Sequence, residues 1–116
     1  MIGLLSASAI TLAALQASIN APTDAFRGCL REATAKAGSE HVGPDAIEAY
    51  LRGACTVQMQ SLRGALVAFR LKNGMAKKAA ADDAAMTVDD YVATPVENFK
   101  FMSTLNTPAS GAAPPK

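Results

Sequence analysis

Two thiols, one imidazole and two carboxylate doublets are the side chains in this chain best suited to chemistry. Cys29 and Cys55 are its only cysteines and His41 its only histidine, and acids are paired at Asp82 with Asp83 and at Asp89 with Asp90. Redox-active cysteine pairs sit close in sequence, as in Cys-x-x-Cys, with one thiol acidified at a helix N-terminus. Here the two lie far apart, each in the middle of a helical pattern, so a structural disulfide is the expectation. His41 stands in the polar stretch "GSEHVGP" with no second histidine to complete a metal site, and it reads as a solvated turn residue. Adjacent acids beside helix starts serve caps and solubility. Gly53, Gly64 and Gly74 fall within or at the end of a helix rather than in a phosphate loop, and no serine lies in a nucleophile elbow. Met59, Met75, Met86 and Met102 are too scattered to converge on a metal and read as gap fillers. The chain is therefore expected to be non-catalytic, with no cofactor and no metal.

The elements that carry these residues are helical throughout. Thr23 can cap a first helix over about 24–37, with Asp24 in its opening turn and an apolar stripe of Phe26, Cys29, Leu30, Ala33 and Ala37. Pro44 at an opening position starts a second helix over about 45–72, ended by "LKNG", whose Asn73 and Gly74 suit a left-handed cap. Spacing at about 100° per residue puts Ile47, Leu51, Ala54, Cys55, Gln58, Leu62, Ala65 and Phe69 on its main apolar face. If the intervening turn centres near Val42, residues equidistant from it face each other: Ala37 and Ile47, Ala33 and Leu51, Leu30 and Ala54, and also Cys29 and Cys55. The two sulfurs should then meet, closing a loop of about 27 residues worth roughly 3 to 4 kcal/mol in the chain-entropy model.

Beyond Gly74 the pattern weakens. "MAKKAAADDAA" has helix-forming alanines without strong apolar periodicity, and "TPVE" at Thr94 offers a start for a last helix over about 95–105 that packs back with Val96, Phe99 and Met102 inward. The fold expected is all-α: a disulfide-pinned helical hairpin with a C-terminal helix against it, in one domain over 22–105. Residues 106–116, "NTPASGAAPPK", have the composition of a disordered tail.

With 116 residues, a net charge of +1 and a 50% hydrophobic content dominated by alanine, the chain allows one small core that buries little area per residue. Its first seventeen residues are uncharged, with an apolar run from Gly3 to Leu15 of signal-peptide length followed by small residues. We read residues 1–17 as a secretory signal, cut after Ala17 or as late as Ala21, and the mature protein as periplasmic or secreted. The missing positive charge in the n-region leaves a misassigned start codon, an uncleaved anchor or a buried apolar helix as the alternatives.

Between Glu48 and Asp82 the chain has no acid, and Arg52, Arg63, Arg70 and Lys77 fall near one line of the second helix. That basic stripe suits an anionic envelope surface or an acidic protein, unless the aspartates of the C-terminal segment fold back to neutralise it. Gly53, Val57, Gly64 and Ala68 make a small-residue face on which a partner helix or a second copy can pack. Balanced charge and scarce aromatics argue against nucleic acid. The sequence thus points to an exported binding, adaptor or structural module with an unknown protein partner, or alternatively to a peripheral protein of anionic lipid surfaces.

Overall fold

The computed structural model describes the backbone of residues 2–105 and the side chains of residues 19–105. The described residues form four helices, α1 (Ile2–Ser39), α2 (Ile47–Ala54), α3 (Thr56–Lys72) and α4 (Lys77–Leu105), and no strand. They make three rods, because α2 and α3 are two halves of one. The expected tail lies outside the described residues, as do the side chains of the expected signal segment, whose backbone belongs to α1.

The first rod starts earlier than its cap signal implies. The Thr23 hydroxyl donates to the Ile19 carbonyl one turn back, at 2.8 Å, so Thr23 sits inside the helix and caps nothing. Pro22 is likewise inside α1. A proline removes one ladder bond and can bend a helix, but the alanine-rich sequence before it keeps high helix propensity, so the helix passes through. Phe26, Leu30, Ala33 and Ala37 are buried, with Cys29 half-buried beside them.

Two helix ends use one device with different residues. At the end of α1, Val42 N–H donates to Ala37 O at 2.9 Å and His41 N–H to Gly38 O at 3.2 Å; at the end of α3, Met75 N–H donates to Arg70 O and Gly74 N–H to Leu71 O, both at 3.0 Å. Each is a Schellman cap, which needs a left-handed residue between helix and exit. Gly74 (φ 91°) fills the second at no steric cost, as "LKNG" predicts, while His41 (φ 60°) fills the first. Pro44, Asp45 and Ala46 form a turn, so α2 begins at Ile47 rather than 45. Across this turn the Tyr50 hydroxyl donates to Glu40 Oε1 at 3.1 Å.

Cys29 and Cys55 are disulfide-bonded with their Cα atoms 5.9 Å apart, and Ala33, Ala37, Ile47 and Leu51 are all buried. The hairpin therefore has the register that equal distances from the turn imply. The middle rod bends at Cys55, where φ is −114° and ψ 26°. Cys55 N–H still reaches Leu51 O and Met59 N–H reaches Cys55 O, so the ladder carries across the bend. Beside it, the Thr56 hydroxyl donates to the carbonyls of Arg52 and Gly53, a back-bonding that bends helices. The bend also changes the phase of the apolar face. Below it Leu62 and Leu66 are buried, Gln58, Ala65 and Phe69 only half-buried, and Ala54 is exposed.

The third rod is one helix where the sequence suggests a loose connector and a short helix. Thr94 does not cap and Pro95 sits inside α4. Its buried residues are Ala80, Ala84, Val88, Val92 and Val96, one at every fourth position. Four residues turn a helix about 40° past a full turn, so this buried line winds by about 160° from Ala80 to Val96. The neighbour changes accordingly: Asp83 meets Arg70 on α3, Asp89 meets Arg52 on α2, and Tyr91 meets Phe26 on α1. Among the described residues no helix is long and apolar enough to cross a membrane.

Candidate functional site

The basic stripe is divided by its contacts with α4. Arg52 donates to Glu48 at 3.0 Å and to Asp89 at 2.9 Å, and Arg70 Nε donates to Asp83 at 2.6 Å. Partial burial alone would lower the Arg52 pKa; the hydrogen bonds to Asp89 and Glu48 outweigh it and raise it further, so this guanidinium stays charged. Arg63 and Lys77 are exposed and make no ion pair among the described residues. Two of the four cations thus tie rods together, and two face solvent.

Gly53, Val57, Gly64 and Ala68 are all exposed, Val57 at 77%. A Cβ placed at Gly53 or Gly64 would meet nothing within 4 Å, so α4 does not pack there and the face is open. The acid doublets go to different uses. Asp82 pairs with Lys78, Asp83 with Arg70 and Asp89 with Arg52, and Asp90 is exposed. Among the described residues no group of three or more His, Cys, Asp or Glu converges to hold a metal ion.

A different surface has the concavity that these lack. Helices α1 and α4 run in the same direction side by side, and between them lies a groove of about 730 Å³ lined by Arg27, Leu30, Arg31, Thr34, Tyr91 and Pro95, among others. It continues past Thr34 and Ala35 into a second hollow of about 500 Å³, reaching His41, Val42 and Pro44 on one side and Phe99 and Met102 on the other. Tyr91 is held at the upper end from two sides. Its ring meets Phe26 edge-on, with centroids 6.5 Å apart at 81°, and the Arg27 guanidinium lies 5.8 Å from its centroid. Arg31, one turn after Arg27, faces the same groove. Neither arginine has an ion-pair partner among the described residues. Pro95 lacks the N–H that would bond Tyr91 O, so the ladder of α4 is interrupted beside the groove.

None of the groove residues stands out in a motif. The available signal is the pair Arg27 and Arg31: like charges one turn apart on a helix repel, and this pair lies next to the apolar stripe rather than on the far face. Comparison with known family models, with curated proteins and with solved structures gives no match.

Proposed function

We propose that this is an exported, non-catalytic binding module: a disulfide-braced three-rod scaffold whose working surface is the groove between α1 and α4. One observation carries the reading. Of the arginines packed near α4, Arg52 and Arg70 are consumed by aspartates of that helix, whereas Arg27 and Arg31 open into a concave, mostly apolar groove of ligand-site size with no carboxylate to meet them. The disulfide supports an oxidising compartment. A binding rather than catalytic role is favoured because no charged side chain is buried among the described residues.

The test has two parts. Fractionation of the host, with intact mass under reducing and non-reducing conditions, reads export and thiol state together; a reduced, cytoplasmic protein would overturn the first half. Amide shift mapping with a small-molecule extract of the host envelope reads the surface. Changes centred on Arg31, Thr34, Ala35 and Asn98 support the groove, and changes centred on Arg63 and Ala68 transfer the role to α3.

A membrane-surface role is the second reading, favoured by the tip between α3 and α4. There Leu71 and Met75 are exposed at 42% and 37%, beside Lys72, Lys77 and Lys78. Salt-sensitive binding to anionic vesicles that is lost in Arg63→Glu/Lys77→Glu supports it, and no binding at low salt dismisses it.

A further inference from the structure

Which ligand fits the groove follows from the order of its walls. Arg27 and Arg31, one turn apart, line its upper part, the Arg27 guanidinium over the Tyr91 ring and Arg31 Nη2 beside Gly28, with Thr34, Thr94 and Asn98 as polar groups farther along. The rest is mainly Leu30, Ala35 and Pro95, then Val42, Pro44, Phe99 and Met102, with His41 and Ser103 as polar groups at the far end. Tyr91 to Met102 is eleven residues, or about 16 Å along α4. That length matches a single extended alkyl chain.

Resting on the groove reading above, we propose that this site takes a single-chain amphiphile with an anionic head, carboxylate or phosphate monoester, bound with the head at Arg27 and Arg31 and the chain laid toward Phe99 and Met102. Charge complementarity sets the polarity. Two cations on consecutive turns destabilise α1 when empty, and an anion between them removes that repulsion while forming charge-assisted hydrogen bonds. Arg27 is already placed by the Tyr91 ring, so little side-chain freedom is lost when an anion arrives. On the α4 side of the lower hollow Phe99 and Met102, the latter exposed at 52%, stand beside Ser103, and covering their apolar surface supplies the chain's share of the binding.

The experiment is calorimetric titration of the intact, oxidised protein with dodecanoate and dodecyl phosphate below their micelle concentrations, with dodecanol and dodecyltrimethylammonium as controls. Saturable one-to-one uptake of either anion is expected, weakened about tenfold or more by loss of the head in dodecanol and absent for the cation. Arg27→Gln/Arg31→Gln should weaken the anions by about tenfold or more while leaving dodecanol unchanged. Ala35 is exposed and lines both hollows, so Ala35→Trp should block every chain without disturbing the core, and octanoate should bind more weakly than dodecanoate. A preference for one anion identifies the head. Equal binding of dodecanol, indifference to the arginine changes, adsorption to anionic vesicles only, or a dimer that occludes the groove and excludes the anions would each overturn the proposal. If the anions fail while the envelope extract still shifts Arg31 and Asn98, the ligand class is wrong and the groove stands; if both fail, the groove reading falls too.

Discussion

Two seams hold the three rods together, and they are made of different material. The core of the α1 hairpin with the middle rod contains Phe26, Leu30, Ile47 and Leu51, side chains of full size, with the disulfide across it, and Phe26 and Leu30 also reach α4 and the groove. Along α4 the buried residues are two alanines and three valines, supplemented by the ion pairs Arg52 with Asp89 and Arg70 with Asp83. Alanine and valine bury less area than leucine or phenylalanine, and half-exposed ion pairs stabilise weakly. The first seam therefore holds the scaffold, and the second lets α4 sit beside α1 without closing the space between them. A ligand groove belongs along such a lightly packed seam.

The sharpest way to break this comparison is to remove the disulfide. Cys29→Ala/Cys55→Ala should lower unfolding free energy by roughly 3 to 4 kcal/mol, read as a fall in the urea midpoint. Next is a matched pair of truncations. Leu51→Ala in the first seam should cost about 3 kcal/mol, and Val92→Ala in the second about 1 to 2 kcal/mol. Equal losses in the same denaturation series would mean the seams do not differ. His41→Gly should act in the opposite direction, raising stability by about 1 kcal/mol, because the left-handed cap of α1 then carries no Cβ. A fall instead would show that the imidazole contributes more than the backbone strain costs. Smallest is Asp83→Asn, expected to cost less than about 1 kcal/mol and to lose its effect at high salt.

The first seam was largely legible in the sequence and the second was not. Cysteines equidistant from a turn, and stripes of Phe26, Leu30, Ile47 and Leu51, give the hairpin and its bond by spacing alone. In α4 the inward positions at the start are Ala80 and Ala84, set among other alanines, so no apolar contrast marks the buried line. Capping signals misled at both prolines. Thr23 with Asp24 and "TPVE" are good starts for an isolated helix, but both helices run on through the adjacent proline. Leu66 lies only about 20° from Cys55 around the axis, at the edge of the stripe, and is buried with it. Of the surfaces, the basic stripe was visible as a gap in acids, and the aspartates that answer Arg52 and Arg70 were visible too. The groove was not, since it needs two helices far apart in sequence to lie in parallel.

The winding line of valines and alanines makes α4 a phased part, in which position along the axis and direction around it are locked together. Losing one residue near Val88 would swing everything after it by about 100°, taking Val92 and Val96 out of the core while leaving Ala80 and Ala84 in place. Length changes in this protein belong in the capped turn at Gly74, where the chain already changes direction without carrying that phase and outside the loop that the disulfide closes.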